Sequence, residues 1–202
     1  EMSASLVGSE MCIRDRPDDV QSARLATEYL LDRGVSRPAV VGSRTDFAQL
    51  STLRDATEGN AQLRMRGVFE ACCDRNIALA TELMPNVGHD WSIGSGARNM
   101  QRIIDSGVPF DGVIALNDQL AMGALSTLAA NGISVPDQVQ VIGFDNNEES
   151  AYFQPPLTTM DSRLDWTAPT AVNRILGRID GSITKSELLT TESQVIARAS
   201  TR

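Results

Sequence analysis

The feature that most constrains the fold is a stretch of apolar runs, polar corners and one helical pattern that spans residues 111–160. Gly112–Leu116 is a short apolar run of the kind that forms a strand buried on both faces of a sheet. Apolar residues then recur at helical spacing up to Asn131–Gly132, which suits the left-handed end of a helix. A second apolar run, Val139–Phe144, follows. We therefore predict two parallel strands joined by a crossover helix, and such crossovers are nearly always right-handed.

A polar residue follows each strand at its carboxyl end, Asn117 after the first and Asp145 after the second. In open α/β sheets, ligands bind beyond the carboxyl ends of the strands. An amide both donates and accepts, and a carboxylate can accept from two adjacent hydroxyls, so this pair suits a polyhydroxylated ligand. The alternative is that Asn117 or Asp118 caps the following helix, and for Asp118 we favour the cap because it directly precedes that helix. No long helix follows Asp145, which favours a binding role there.

Three segments of this part of the chain resemble the effector-binding core of the lactose-repressor/galactose-repressor family of bacterial transcription regulators: VIALNDQLAMGAL, VPDQVQVIGFDN and PPLTT. They come in the order and spacing of that family. A weaker resemblance extends from about Asp18 to the C-terminus, where VIARAST is similar to the closing strand of the family. The resemblance implies a periplasmic-binding-protein-like fold (type I) of two α/β subdomains, with parallel sheets flanked by helices. A small effector, commonly a sugar or a nucleobase, would lie in the cleft between them.

The resemblance also predicts how the chain is divided. Residues 17–202 would be a fragment of the effector-binding domain: residues 38–156 one complete subdomain, residues 17–34 and 157–181 remnants of the other, and residues 182–202 a C-terminal segment. Residues 1–16 resemble translated adapter sequence, and we expect them to be non-native and disordered. The DNA-binding headpiece, the hinge and the first half of the N-terminal subdomain have no counterpart in this sequence. We therefore expect that this chain alone does not bind operator DNA and binds effector weakly or not at all.

Apolar spacing predicts the remaining elements. Helices are expected over Asp18–Arg33, Ala61–Asn76, Ile93–Ile104 and a last segment ending at Gly181, with a helical turn at Glu148–Phe153. Strands are expected at Pro38–Gly42, Leu83–Met84 and Leu157–Met160, the last as a crossing strand, and Ser43–Asn60 is predicted to be a long polar loop. Pro169 should lie at or near the start of the last helix, because a proline deeper inside costs about 3 kcal/mol.

Two further effector-binding residues are implied by the resemblance. Arg64 stands at the arginine of the family's Arg-x-x-Gly pattern, whose arginine reaches the effector; a solvated helix arginine is an equal alternative. Trp91, in the sequence DWS, stands where lactose-type members stack a tryptophan on the sugar ring. An indole face suits the C–H face of a pyranose, although a tryptophan on a loop could also pack at the surface.

A homodimer interface is implied by the same resemblance. In the family it is formed by the segment that corresponds to residues 148–153 and by the helix that begins near Gln119. The residues expected to contribute are Met122, Tyr152 and Phe153. For Met122, ordinary packing in the core is an equal alternative.

Composition bounds the possible partners. The formal net charge of -8 provides no electrostatic footprint for nucleic acid and argues against binding to an anionic membrane surface. No apolar segment is long enough for a membrane span. The three cysteines lack metal or disulfide spacing, which fits a reducing cytoplasm. His89 is the only histidine, so a histidine-based metal site is excluded, and no cofactor is predicted.

No enzyme mechanism can be assigned to named residues. A His89–Asp90 dyad has no nucleophile that can be placed beside it, and the acidic segment at Asp145 lacks the glycine and the last glutamate of a calcium loop. Two functions remain: the sensor domain of a cytoplasmic transcription regulator, or a periplasmic sugar-binding protein of an ABC transporter. The PPLTT segment favours the regulator. Upstream sequence would separate the two, since a helix-turn-helix supports the first and a signal peptide the second.

Overall fold

The apolar runs of the sequence become the strands of a mostly parallel sheet in a computed structural model, which describes residues 16–44, 53–56, 59–184 and 189–202. The predictions for residues 1–15, and most of the predicted loop at 43–60, lie outside these residues. In chain order the elements are β1 (Arg16–Pro17), α1 (Asp19–Leu31), β2 (Pro38–Val41), α2 (Asn60–Asp74), α3 (Ile93–Asp105), β3 (Gly112–Ala115), α4 (Asp118–Ala130), β4 (Gln140–Phe144), β5 (Thr158–Asp161), α5 (Leu164–Ile179), β6 (Thr190–Thr191) and β7 (Gln194–Ile196).

The main sheet has five strands in the order β2-β3-β4-β5-β7. The pairs β2–β3, β3–β4 and β4–β5 are parallel, and β7 joins the β5 edge antiparallel. Every residue of β2, β3 and β4 is buried, because helices cover both faces. A separate parallel pair is formed by β1 and β6. The predicted α/β fold with a parallel sheet flanked by helices is thus confirmed.

The two faces of the sheet carry two pairs of helices. One apolar cluster joins α1 and α2 to the sheet through residues such as Leu30, Met65 and Phe144, and the other joins α3 and α4 through Met100 and Leu125. Each pair packs closely because a glycine lies at the contact. A Cβ on Gly67 of α2 would lie 2.2 Å from the Val20 carbonyl oxygen of α1, and one on Gly123 of α4 would lie 2.1 Å from the Ile93 carbonyl oxygen of α3.

Two local predictions were wrong. Leu83–Met84 does not form a strand; residues Thr81–Leu83 form a short 3-10 turn beside β2. Pro85 follows directly, and a proline has no N–H to donate to a sheet ladder. Pro169 lies inside α5 rather than near its start. The helix begins earlier because the Arg163 carbonyl accepts the N–H groups of residues 166 and 167 at 3.1 and 2.9 Å.

Two segments assigned to the other subdomain, the first helix and strand β5, pack on the main sheet or pair with it. Residues 19–31 of α1 pack on α2 and contribute to the same apolar cluster as β3 and β4. Strand β5 pairs directly with β4, from Ile142 beside Thr158 to Phe144 beside Met160. Both segments, expected to be remnants of another subdomain, therefore belong to the layers around the main sheet. For α1 the reason is its apolar face, on which Ala23, Ala26 and Leu30 are fully buried.

Helix α5 is unlike helices α1 to α4. Its apolar side chains remain largely exposed, with exposed fractions between 48% and 78% at Val172, Ile175, Leu176 and Ile179. These positions follow the spacing of one helix face. Its assignment to the other subdomain therefore stays a prediction. Among the helices described, none is both long and apolar enough to cross a membrane.

Candidate ligand-binding site

The two polar corners predicted from the sequence lie on one rim of the sheet. Strands β3 and β4 are parallel neighbours, with Ile114 beside Ile142. Asn117 and Asp145 each follow the carboxyl end of one of these strands. This juxtaposition is the geometric condition for a shared binding site at this rim.

Arg64 of α2 connects the two corners. Its side chain is 6% exposed, and it donates from Nη1 to the Leu116 carbonyl oxygen at 2.5 Å and from Nη2 to Asp145 Oδ1 at 3.2 Å. Its Nε donates to Asp19 Oδ1 at 2.8 Å, and its guanidinium lies 4.6 Å from the centre of the Phe144 ring. Arg64 is therefore a buried, oriented cation at the rim, and the alternative of a solvated helix arginine is wrong.

Asp145 is bound by Arg64, but one of its two carboxylate oxygens can still accept a hydrogen bond. Ser162, which follows β5, donates from its Oγ to Asp145 Oδ1 at 3.3 Å. Both bonds to this carboxylate end on Oδ1, and Oδ2 accepts no hydrogen bond from the residues that the structure describes. The side chain is 30% exposed. A half-exposed carboxylate with one oxygen fixed and the other open can accept from a ligand hydroxyl.

Asn117, not Asp118, caps α4. The backbone of Asn117 is extended, and its Oδ1 accepts the Leu120 N–H at 2.7 Å. The preference for Asp118 as the cap was wrong, because Asp118 already has helical conformation and its side chain turns into the interior. Asn117 also donates from Nδ2 to the Trp91 carbonyl oxygen at 3.1 Å. An amide has two N–H groups and two lone pairs, so one of each remains for a ligand.

Trp91 is thereby fixed beside the first corner. Its side chain is half-buried and packs against the apolar clusters of both sheet faces. On one side of it, Asp90 accepts the Ser92 N–H at 3.1 Å, and on the other Ser92 caps α3 by accepting from Ser95 N–H at 3.2 Å. Hydrogen bonds from Ser92, followed by the Arg98 guanidinium, lower the pKa of Asp90. The DWS sequence is thus a local turn and cap that sets the Trp91 backbone at the rim.

Asp118 is a buried charged group that the sequence did not reveal as part of this region. Its side chain is fully buried and accepts from Thr159 Oγ1 at 2.6 Å and from the Asn147 N–H at 2.8 Å. Burial raises the pKa of the Asp118 carboxyl to about 7, with the charge of Asp145 acting in the same direction and Arg198 acting against it. Three further contacts were not predicted, because they come from elements distant in sequence: Asp19 with Arg64, Ser162 with Asp145, and Thr159 with Asn146.

The three residues predicted for a homodimer interface differ in their exposure to solvent. Tyr152 is 78% exposed, and Phe153 is half-buried against the cluster under α3 and α4. Met122 is buried in the core, so it offers no exposed surface in the single chain. Glu148–Ala151, just before the two aromatic residues, forms a 3-10 turn, as predicted. Among the described residues, no group of acidic, cysteine or histidine side chains could hold a metal ion.

Fold and rim together define a ligand-binding domain of the periplasmic-binding-protein type. A family model for the periplasmic binding protein-like domain matches residues 27–201. The transcriptional repressor PurR of Aliivibrio fischeri is 29% identical over 87% of the chain, which covers 49% of that protein. The chain therefore spans about half the length of the curated relatives it matches.

Solved structures agree with this class. A LacI-type transcription regulator from Bifidobacterium animalis subsp. lactis superimposes with a TM-score of 0.85 and 36% identity, covering 91% of this chain and 65% of that one. The lac repressor dimer bound to operator and the anti-inducer ONPF superimposes with a TM-score of 0.76 and 25% identity, covering 92% and 59%. The chain belongs to the LacI/GalR family of transcription regulators, as a periplasmic-binding-protein-like effector-binding domain.

Proposed function

We propose that this domain senses a small carbohydrate at the rim formed by Asn117 and Asp145 and thereby controls DNA binding by a helix-turn-helix headpiece that lies outside this chain. The single observation that carries the proposal is the placement of a half-exposed carboxylate, an oriented buried arginine and an amide at adjacent strand ends. Paired acceptors and donors at this spacing suit neighbouring hydroxyl groups of a sugar. We assign the apolar ring face of the sugar to the indole of Trp91, whose backbone carbonyl accepts from Asn117.

We assign roles to the four residues as follows. Asp145 accepts from one or two hydroxyls through Oδ2, while Arg64 holds its Oδ1 at the rim. Asn117 donates and accepts with the groups left free by its bonds to Leu120 and Trp91. Because each polar group is already oriented in the unliganded chain, little ordering has to accompany binding.

The test is an NMR titration of the 202-residue chain with cellobiose, lactose, D-galactose and, as a nucleobase, hypoxanthine, each at millimolar concentration. We expect amide shifts at residues 117 and 145 with a sugar, and loss of those shifts in Asp145→Ala. Asp137→Ala is the matched control, because Asp137 is exposed and precedes the opposite end of β4. Shifts that persist in Asp145→Ala, or that appear only with hypoxanthine, would contradict the carbohydrate assignment.

A homodimer and a cytoplasmic location belong to the same proposal. The lac repressor relative is a dimer bound to operator, and Tyr152 gives this chain an exposed aromatic at the surface where a dimer is expected. Light scattering should show a dimer that Tyr152→Lys shifts toward monomer. Lysine at exposed Val172 of α5, in Val172→Lys, is the control and should leave the dimer intact; dissociation by that variant alone would place the interface elsewhere.

A further inference from the structure

The backbone at the corner after β4 is strained. Asp145 has φ of 102° and Asn146 has φ of 52°, although neither is a glycine. Residues that carry a side chain rarely adopt this left-handed region. A strained turn of this kind persists only where the surrounding structure determines it. The groups that determine it are therefore also the groups that aim the Asp145 side chain.

Three successive N–H groups of this corner are each bound by a different partner. The Asp145 N–H donates to the Met160 carbonyl oxygen at 2.9 Å, as a continuation of the sheet. The Asn146 N–H donates to Thr159 Oγ1 at 3.3 Å, and the Asn147 N–H donates to Asp118 Oδ2 at 2.8 Å. Side chains thus hold two of the three.

Those two side chains form one buried unit. Thr159 Oγ1 donates to Asp118 Oδ1 at 2.6 Å, and both residues are fully buried. The carboxylate can approach β4 because position 143 is a glycine, where a Cβ would lie 2.3 Å from Asp118 Oδ1. The first residue of α4 and a residue of β5 therefore meet beneath the corner, with no surface through which either could touch a ligand.

We propose that Asp118 and Thr159 are positioning residues of the effector site: they hold the left-handed turn at residues 145–147 and so direct the Asp145 carboxylate at Arg64 and at the ligand. The proposal rests on the proposed function for the ligand, but the turn itself can be tested without one. Buried polar groups that are fully bonded to each other fix a single geometry, because any alternative leaves one of them unpaired.

Arg198 adds a second tie to the same turn. It donates from Nη2 to Asn146 Oδ1 at 2.8 Å and from Nη1 to Ser150 Oγ at 2.9 Å and the Leu157 carbonyl oxygen at 2.7 Å. The turn is therefore tied to the 3-10 segment that precedes Tyr152. Arg198 and Asp145 are the charged groups that act on Asp118. Because Arg198 holds the side chain of Asn146 and not a backbone N–H, it leaves the two N–H bonds to the positioning pair.

The experiment compares Thr159→Val, which keeps the shape and removes the hydroxyl, with Thr159→Ser, which keeps the hydroxyl. In NMR spectra of the chain, a strong intraresidue amide-to-Hα NOE at residues 145 and 146 reports the positive φ. We expect Thr159→Val to weaken these NOEs and to speed amide exchange at Asn146 and Asn147, and Thr159→Ser to restore both. Thr27→Val is the matched control, since the hydroxyl of Thr27 is also buried but bonds only within α1, to the Ala23 carbonyl oxygen.

A second variant keeps the test decisive if Thr159→Val fails to fold. Asp118→Leu keeps the approximate shape of the side chain but has no acceptor oxygen, so both bonds at Asp118, to Thr159 and to the Asn147 N–H, are lost. We expect the same NMR changes. Unchanged NOEs and exchange at residues 145–147 in either folded variant would overturn the positioning role.

A separate sugar titration tests whether the turn affects ligand binding. If cellobiose, lactose or D-galactose shifts the rim resonances of the wild type, its Kd should weaken roughly tenfold in Thr159→Val and recover in Thr159→Ser, a change of about 1.4 kcal/mol. An unchanged Kd with an altered turn would overturn the link from turn to ligand. If none of the three sugars shifts the wild type, the carbohydrate proposal fails while the NOE result still decides whether the pair positions the turn.

Discussion

The corners after β3 and β4 occupy equivalent places in the sheet but are built in opposite ways. At the first, Asn117 has extended backbone and binds an N–H three residues further along the chain. At the second, Asp145 and Asn146 are left-handed, and the turn is held by residues 118, 159, 160 and 198. One corner is a local helix cap. The other is a strained turn maintained by parts of the chain that are distant in sequence.

This difference has a functional consequence. A local cap keeps its geometry as long as its own helix forms, so Asn117 is a fixed element of the rim. The turn at Asp145 depends on α4, β5 and the C-terminal segment together. A movement of β5 or of the C-terminal segment would therefore act on the Asp145 carboxylate before it acts on Asn117. Substitutions that separate local from distant support test the comparison directly.

The largest effect is expected from Arg64→Met, which removes the cation shared by the two corners. Asp19 and Asp145 both lose their bond to Arg64, and Asp19 is buried. Breaking a buried pair in this way costs about 3–5 kcal/mol of unfolding free energy. Arg66→Met is the matched control on the same helix, because Arg66 pairs with Glu70 at a half-exposed site. Urea denaturation should show a loss of less than about 1 kcal/mol there, and equal losses in the two variants would contradict the buried role of Arg64.

The sequence predicted well the strands around the two corners and the helix after Asn117. The strands around Asn117 and Asp145 were predicted because buried parallel strands are continuous apolar runs, and the helix after Asn117 because its apolar residues recur at helical spacing. Which of Asn117 and Asp118 caps that helix could not be decided, since both residue types are good caps and the choice depends on what Asp118 meets in the interior. That partner, Thr159, lies 41 residues further along the chain.

The residues that hold the turn at Asp145 could not be predicted from sequence patterns for the same reason. Nothing at Asp19 or Ser162 marks them as neighbours of Arg64 and Asp145, because parallel β4–β5 pairing and the packing of α1 on α2 create those contacts. The placement of α1 in the predicted division of the chain met the same limit. The apolar face of α1 shows that the helix is buried, but not which sheet it covers.

The second prediction concerns pH. Burial raises the pKa of Asp118 to about 7 from its ordinary value of 3.8, so the folded protein keeps a proton that the unfolded chain has lost. This contribution to stability therefore falls as pH rises from the ordinary value through about 7. From about pH 5 to about pH 8, the wild type should lose about 2–3 kcal/mol relative to Asp118→Asn, which cannot titrate.

Urea denaturation of both proteins across this range measures that difference, and using the difference cancels the titration of all other groups. The turn at Asp145 would then be supported by a group whose charge changes near neutral pH, whereas Asn117 carries no titratable group. A difference that stays constant over the range would show that Asp118 does not titrate there.

A smaller effect is expected at the local corner. Asn117→Ala removes the cap and the bond to the Trp91 carbonyl, and loss of a helix cap costs about 1 kcal/mol. Asn117→Asp keeps a capping oxygen but has no N–H for Trp91, so it should recover most of the stability. Trp91 fluorescence should change in both variants. The NOEs that report positive φ at residues 145 and 146 should not change in either, and a change there would show that the two corners are not independent.

The smallest effect is expected at Asp90, a second local feature of the first corner. Its carboxylate accepts the Ser92 N–H and pairs with Arg98, and both members of that pair are more than half exposed. Exposed pairs contribute little because solvent screens them. The lowered pKa of Asp90 means that its contribution is present above the ordinary pKa and disappears as pH falls through the lowered value. Asp90→Asn should therefore shift the urea midpoint slightly at neutral pH and not at all in acid. A shift as large as that of Asn117→Ala would mean that the Asp90 turn, and not the Asn117 amide, fixes Trp91 at the rim.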